Sequence, residues 1–110
     1  MAAVKRIKSV EEFLDFKGNS SSLNVLKVGA EWCRPCKVLE GTLMELTDDE
    51  VTGVRLAEVD ADEEWFDDEA AKLKVRGIPT LIAFKDGEEV DRNVGIMTRA
   101  DLLEFFGRNK

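Results

Sequence analysis

The chain has 110 residues, of which 16 are basic and 23 acidic, so its formal net charge is −7. This length predicts one domain over residues 1–110, and the acidic balance argues against nucleic acid as a partner, because phosphate binding needs a clustered basic face. No apolar run approaches the ~20 residues of a membrane helix, and residues 1–8 lack the apolar stretch of a signal peptide. We therefore expect a cytoplasmic monomer with no membrane partner.

The first half of the chain predicts strands and helices in alternation. Residues 4–7 form a weak candidate strand, and Ser9 followed by Glu12 fits a capping box that begins a helix. Residues 23–28 are mostly apolar and β-rich, which predicts a buried strand. A helix is predicted directly after the cysteine pair, because three leucines recur there at spacings of four and three: Leu39, Leu43 and Leu46.

The second half continues this alternation and adds a hairpin. Residues 54–59 predict a strand, and the acidic stretch over residues 60–69, expected to be a solvated surface, leads into a helix. Residues 80–84 predict a further strand, which turns tightly at residues 86–87 and returns antiparallel over residues 88–94. The helix after the acidic stretch is expected to carry Trp65, Phe66, Ala70 and Leu73, with the two aromatic residues in the core.

The last predicted element is a helix that Thr98 can cap. With the weak first strand included, the order of elements is β-α-β-α-β-α-β-β-α. This order predicts an α/β fold in which a central mixed sheet carries helices on both faces.

The cysteines form the only segment with an obvious mechanism. The chain contains no histidine, which excludes Ser-His-Asp and Cys-His nucleophilic machinery and histidine-ligated metals. Cys33 and Cys36 are spaced C-x-x-C between a strand and a helix, a context that favours redox chemistry. Two thiols cannot by themselves complete a four-ligand zinc site, so neither a metal nor a bound cofactor is expected.

The position of the cysteines at a helix start predicts their roles. Unpaired N–H groups and the helix dipole there favour negative charge and lower the pKa of a thiol. Arg34 and Lys37 would act in the same direction. Cys33 comes first and should face outward, so it is the expected nucleophile, whereas Cys36 lies one turn in and is the expected resolving thiol.

The cysteine segment resembles the active site of the thioredoxin family. That site is usually written W-C-G-P-C-K, and residues 32–37 read WCRPCK. Residues 75–80 (VRGIPT) are similar to the family's cis-proline loop, and residues 84–87 (FKDG) with a later Val94-Gly95 resemble its hairpin and glycine loop. These matches run in the family's order over nearly the whole chain, so the resemblance implies the thioredoxin fold.

The resemblance also implies a docking groove beside the cysteines. Pro79 would be a cis proline packed against the pair, and Ile78 would offer backbone hydrogen bonds to an extended client segment. Trp32, Gly95 and Ile96 would complete a shallow apolar surface. On the residues alone, a trans proline at a strand start and a core tryptophan stay open as alternatives.

Two positions before the cysteines depart from the family's pattern. Lys27 stands where the family carries a buried aspartate that is thought to help deprotonate the resolving thiol. Two interpretations of Lys27 stay open: its ammonium reaches water at the strand edge, or it stabilises a thiolate on Cys36 or Cys33. Gly29 replaces a typical aromatic residue, which should thin the packing beside the site.

A third departure lies between the cysteines, where Arg34 replaces the usual glycine. Its charge and that of Lys27 should favour the dithiolate and make the disulfide easier to reduce. We therefore expect a couple somewhat more oxidising than an ordinary thioredoxin. Pro35 and Lys37 keep the family's residues and complete the set expected to tune the thiols.

The leading prediction is a thiol–disulfide oxidoreductase that reduces disulfides in client proteins. The resemblance implies a thioredoxin reductase as its electron donor. A disulfide oxidase or isomerase is the nearest alternative, against which a cytoplasmic address argues. Two further alternatives are a redox-independent binding module that uses the same groove, and a dimer that shares a metal or iron–sulfur cluster through four cysteines.

Overall fold

The computed structural model describes residues 3–110. Met1 and Ala2, the first residues of the segment that lacks a signal-peptide pattern, lie outside the described part of the chain. The elements are β1 (Val4–Arg6), α1 (Val10–Gly18), β2 (Leu23–Gly29), α2 (Arg34–Met44), β3 (Val54–Asp60), α3 (Asp67–Leu73), β4 (Thr80–Lys85), β5 (Glu88–Val94) and α4 (Arg99–Asn109). Their order confirms the predicted one.

The five strands form one mixed sheet in the order β1-β3-β2-β4-β5. β1, β3 and β2 run parallel, and β4 and β5 are antiparallel to their neighbours. β2 lies at the centre, and all seven of its residues are buried. The predicted buried strand is therefore confirmed, and the cysteine pair follows the most protected strand of the sheet.

Alternate residues of the strands face two separate apolar layers, because successive side chains of a strand point to opposite faces. Val25 and Leu81 face one layer, and Leu26 and Ile82 face the other. The first layer contains Leu39 and Leu43 of α2 with Leu102, Phe105 and Phe106 of α4, and the second contains Phe13 and Phe16 of α1 with Phe66. Helices thus cover both faces of the sheet, as predicted.

The predicted helix starts at Ser9 and Thr98 are confirmed. The Ser9 hydroxyl accepts the N–H of Glu12 at 3.2 Å, and the Thr98 hydroxyl accepts the N–H of Asp101 at 3.1 Å. At Thr98 the box is complete, because Asp101 accepts the N–H of Thr98 in return. At Ser9 the second half of the prediction is wrong: the Glu12 carboxylate reaches one residue further and accepts the N–H of Lys8 at 3.4 Å.

The acidic stretch departs from its prediction at two points. Trp65 and Phe66 belong to a 3₁₀ turn, Glu64–Phe66, that directly precedes α3. The spacing of apolar residues does not distinguish a 3₁₀ turn from the first turn of an α-helix, and 3₁₀ turns commonly occur at helix ends. Glu69 is buried and not solvated, and its carboxylate accepts a hydrogen bond from Nζ of Lys72, three residues further along the helix, at 3.0 Å.

Asp91 joins the last strand to the last helix. Its carboxylate accepts hydrogen bonds from Nε of Arg108 at 2.8 Å and from Nδ2 of Asn109 at 2.7 Å. These donors, with the backbone N–H of Arg92, hold the pKa of Asp91 below its usual range. Ionisation of the Asp91 carboxyl group therefore strengthens the contacts that hold the end of α4 on β5.

We expect Asp91→Asn to reduce the loss of stability in acid. Because the folded pKa is lowered, the carboxylate stabilises the fold above its unfolded pKa of about 3.9, and this contribution is lost as the pH falls through the folded pKa. The difference should stay below about 1 kcal/mol, because the ion pair is partly solvated. Urea unfolding between about pH 2 and pH 6 measures it. The exposed Asp15→Asn is the control, and an equal change there would contradict the assignment.

Candidate active site

The cysteine pair lies at the point where the chain leaves β2 and enters α2. Cys33 and Cys36 form a disulfide, with their Cα atoms 5.2 Å apart. Cys33 is the N-cap of α2, and its Sγ accepts the N–H of Cys36 at 3.2 Å. Pro35 occupies the first turn of α2, where a backbone N–H would have no acceptor within the helix, so a proline is tolerated there. The helix start thus directs a hydrogen-bond donor at the sulfur of Cys33.

The predicted outward orientation of Cys33 is wrong for the disulfide form. Cys33 is 5% exposed and Cys36 is 1% exposed, so both sulfurs are buried. Ala30 and Ile78 pack against the pair and cover it. Cys33 is slightly more exposed than Cys36, but the exposed fractions of the two residues differ little.

The residues of the predicted groove surround this pair. The Ile78–Pro79 peptide is cis, as the resemblance implies, and the carbonyl of Pro79 accepts the N–H of Gly95 at 2.8 Å. Gly95 has a φ of 104°, a left-handed conformation that favours glycine. Ile96, the next residue, is exposed. The proline loop and the glycine loop are therefore held together beside the disulfide.

Trp32 is a surface residue, so the alternative of a core tryptophan is wrong. Its side chain is 71% exposed, and its Nε1 donates a hydrogen bond to Asp62 at 2.8 Å. Sequence reasoning missed Asp62, which was one carboxylate among many in the acidic stretch. This bond fixes the indole beside the cysteines while its ring stays open to solvent.

The two cations of the motif differ in their surroundings. Lys37 donates to Glu31 at 3.0 Å and lies 3.8 Å from Glu40. The hydrogen bond with Glu31 raises the pKa of Lys37, and the same bond lowers the pKa of Glu31. Because these carboxylates offset its charge, we expect Lys37 to influence the thiols less than the sequence predicted. Arg34 is exposed at the first position of α2.

Lys27 does not reach water at a strand edge, because β2 is the central strand. Its side chain is 6% exposed, and its Nζ lies 3.1 Å from Glu58 and 3.5 Å from Glu40. Sequence reasoning missed both carboxylates. A signal existed for each: Glu58 is the register partner of Lys27 on β3, and Glu40 follows Cys36 by one helical turn.

The packing at Gly29 is tight and not thin, which corrects the prediction. A Cβ at this position would lie 3.2 Å from both Cβ and Sγ of Cys36. The backbone of β2 therefore passes so close to the first turn of α2 that only glycine leaves the resolving cysteine undisturbed.

We expect Gly29→Ala to destabilise the oxidised protein by about 1–3 kcal/mol, as overpacking in a filled region does. Urea unfolding of the disulfide form measures this loss. Gly41→Ala on α2 is the matched control: a Cβ there meets nothing within 4 Å, so replacing a helical glycine should stabilise by about 0.5–1 kcal/mol. A Gly29→Ala protein as stable as the parent would show that Cys36 can move aside freely.

Comparisons with known proteins agree with this geometry. The Thioredoxin family model matches residues 5–108. Thioredoxin of Staphylococcus saprophyticus is 42% identical over 89 residues, covering 81% of this chain and 84% of that protein, and thioredoxin of Staphylococcus haemolyticus is 38% identical over the same shares. The structure of Fasciola hepatica thioredoxin superposes with a TM-score of 0.83 at 30% identity, covering 97% of this chain and 100% of that one.

The fold and the site define a protein that exchanges dithiol and disulfide at a helix start beside a cis proline. The chain belongs to the thioredoxin family. It is a thiol–disulfide oxidoreductase with protein-disulfide reductase activity, and its partners are of two kinds, disulfide-containing client proteins and a thioredoxin reductase. Within residues 3–110, no helix is long and apolar enough to cross a membrane.

Proposed function

We propose that Cys33 attacks the client disulfide and that Cys36 releases the reduced client. The observation that carries this assignment is the N–H of Cys36, which points at Sγ of Cys33 from 3.2 Å. After reduction the same N–H can donate to a thiolate, and the dipole of α2 favours that negative charge. Cys36 lies one turn deeper, from where it can attack the sulfur of Cys33.

The exchange balances in two steps. In the first, the Cys33 thiolate bonds to one client sulfur, and the other client sulfur leaves as a thiolate. In the second, the Cys36 thiolate bonds to Cys33, and the remaining client sulfur leaves. Two electrons thus pass from the protein to the client, and a thioredoxin reductase returns them.

We assign client docking to the groove formed by Trp32, Ile78, Pro79, Gly95 and Ile96. Trp32 and Ile96 present exposed apolar surface, and Ile78 packs directly on the disulfide. A client segment in extended conformation could pair with the backbone of the proline loop, as in strand addition. We further propose that the chain works as one cytoplasmic domain and as a monomer, where reducing conditions keep the thiols available.

Alkylation of the reduced protein tests the assignment of roles. Iodoacetamide reacts with thiolates, so a limiting amount should modify Cys33 well before Cys36 at neutral pH. Peptide mapping by mass spectrometry measures the ratio at each residue, and the denatured protein is the control in which both cysteines should react alike. Faster modification of Cys36 in the folded protein would reverse the two roles.

A further inference from the structure

A small crevice lies behind the disulfide, between β2, β3 and the first turns of α2. Its volume is about 20 Å³, and Lys27, Gly29, Glu40 and Glu58 are among the residues that line it. The point where a side chain on Gly29 would begin is 3.2 Å from Sγ of Cys36 and 3.7 Å from Cε of Lys27. Gly29 and Lys27, which line the crevice, therefore both lie near the resolving sulfur, and the crevice has room for one water molecule.

The crevice carries a compact set of charges. Nζ of Lys27 lies 3.1 Å from Oε2 of Glu58 and 3.5 Å from Oε2 of Glu40. Nε of Arg6 lies 3.4 Å from the other oxygen of Glu58. The charged groups that face Glu58 here are Arg6 on β1, Lys27 on β2, Glu31 before α2, Lys37 and Glu40 on α2, and Asp60 at the end of β3.

The resolving step needs an acceptor for a buried proton. Cys36 attacks as a thiolate, so its thiol must first lose a proton, yet the residue is only 1% exposed. Where the resemblance implies a carboxylate, this chain has Lys27, whose Nζ is already paired with Glu58 and Glu40. The proton must therefore pass to another group at the crevice.

We propose that Glu58 accepts this proton from Cys36 through a water molecule in the crevice. The thiol proton moves to the water while a water proton moves to Glu58, and the Cys36 thiolate then bonds to Cys33 as the client sulfur leaves. The Lys27 side chain is paired with the Glu58 carboxylate before the transfer and lies near the Cys36 thiolate after it. The proton returns to solvent or to the departing client thiolate.

Glu58 is favoured over Glu40 by its position. The side chain of Glu58 is 18% exposed and that of Glu40 is 33% exposed. Glu58 is also nearer to Lys27 and stands opposite it in the sheet register. Glu40 forms ion pairs with both Lys27 and Lys37 and is more exposed to solvent. It is therefore a matched control: like Glu58 it is a glutamate paired with Lys27, but it lies on the outer side.

This inference rests on the proposed roles of the two cysteines, and one experiment separates them. Reduced protein is mixed with 5,5′-dithiobis(2-nitrobenzoate) in a stopped-flow instrument. The first nitrothiobenzoate released reports attack by Cys33, and the second reports attack by Cys36 on the mixed disulfide. The roles are verified if Cys33→Ser lacks the first phase and Cys36→Ser shows the first phase but lacks the second. Any other pattern overturns the proposed function.

With the roles verified, Glu58→Gln should slow the second phase by about a hundredfold at neutral pH and leave the first unchanged. The second phase of Glu58→Gln should then rise with pH, as expected when hydroxide replaces the lost base. Glu58→Asp should recover part of the second-phase rate, and Glu40→Gln should keep most of it.

An unchanged or faster second phase in Glu58→Gln, or an equal loss in Glu40→Gln, would overturn the proposal. If Glu58→Gln does not fold, the same comparison is made with Glu58→Asp, whose shorter carboxylate should slow only the second phase.

Discussion

Cys33→Ser should abolish reduction of protein disulfides. The hydroxyl of serine does not form a nucleophilic anion at neutral pH, and no other thiol of this chain occupies the N-cap of α2. Turbidity from insulin reduction by dithiothreitol measures the loss, which should reach the uncatalysed rate. Folding should survive, because the change removes little apolar volume at the helix cap.

Cys36→Ser is the matched control for this prediction. It should keep the attacking thiol and lose the release step, so a mixed disulfide with the client should accumulate on Cys33. Non-reducing electrophoresis shows that species directly. Substantial turnover by Cys33→Ser, or a mixed disulfide trapped by Cys33→Ser and not by Cys36→Ser, would contradict the mechanism.

Phe13→Ala should strongly destabilise the fold. Phe13 is fully buried, and its ring meets the edges or faces of Phe66 at 5.9 Å and of Phe84 at 6.0 Å between centroids. Truncating a buried phenylalanine costs about 3–5 kcal/mol. The free energy of unfolding of a small domain is only about 5–15 kcal/mol in total. The midpoint of urea unfolding should therefore fall sharply.

Leu14→Ala tests whether that loss comes from the buried ring. Leu14 follows Phe13 on the same helix, but it is 48% exposed. Its truncation should change the free energy of unfolding by about 0.5 kcal/mol or less. Equal losses in the two variants would mean that α1 as a whole, and not the contact of Phe13 with Phe66 and Phe84, limits stability.

Local signals in the sequence were sufficient for most of the fold. Thr98 with Asp101 marks the start of α4 through a capping box. Asp86 and Gly87 adopt φ values of 53° and 82°, the left-handed pair that a tight hairpin turn requires. The C-x-x-C pair at the start of α2 likewise carries its chemistry in adjacent residues. Each of these features depends on contacts within a few positions of the chain.

Features that depend on distant contacts could not be predicted in the same way. The partners of Lys27 follow from the alignment of β2 with β3, which brings in Glu58, and from the rotation of α2, which brings in Glu40. The bond between Trp32 and Asp62 spans 30 residues of chain. The cover of Cys33 depends on how closely the proline loop packs on it. None of these arrangements has a fixed spacing in the sequence.

The arrangement of charges also changes the expectation for the redox couple. Lys27 and Lys37 are each paired with carboxylates, so their preference for thiolates is largely offset. Arg34 remains the cation most able to favour the dithiolate. We therefore expect the potential to lie closer to that of an ordinary thioredoxin than the sequence alone predicted.

A redox titration of Cys33 and Cys36 tests the central claim most directly. The protein is equilibrated in glutathione or dithiothreitol buffers, and the free thiols are trapped and counted by mass spectrometry. We predict one reversible two-electron couple at or below the cytosolic poise of roughly −220 to −260 mV. A couple well above that poise would identify an oxidant or isomerase. Absence of any reversible couple would contradict the redox function and favour a binding module that uses the same groove.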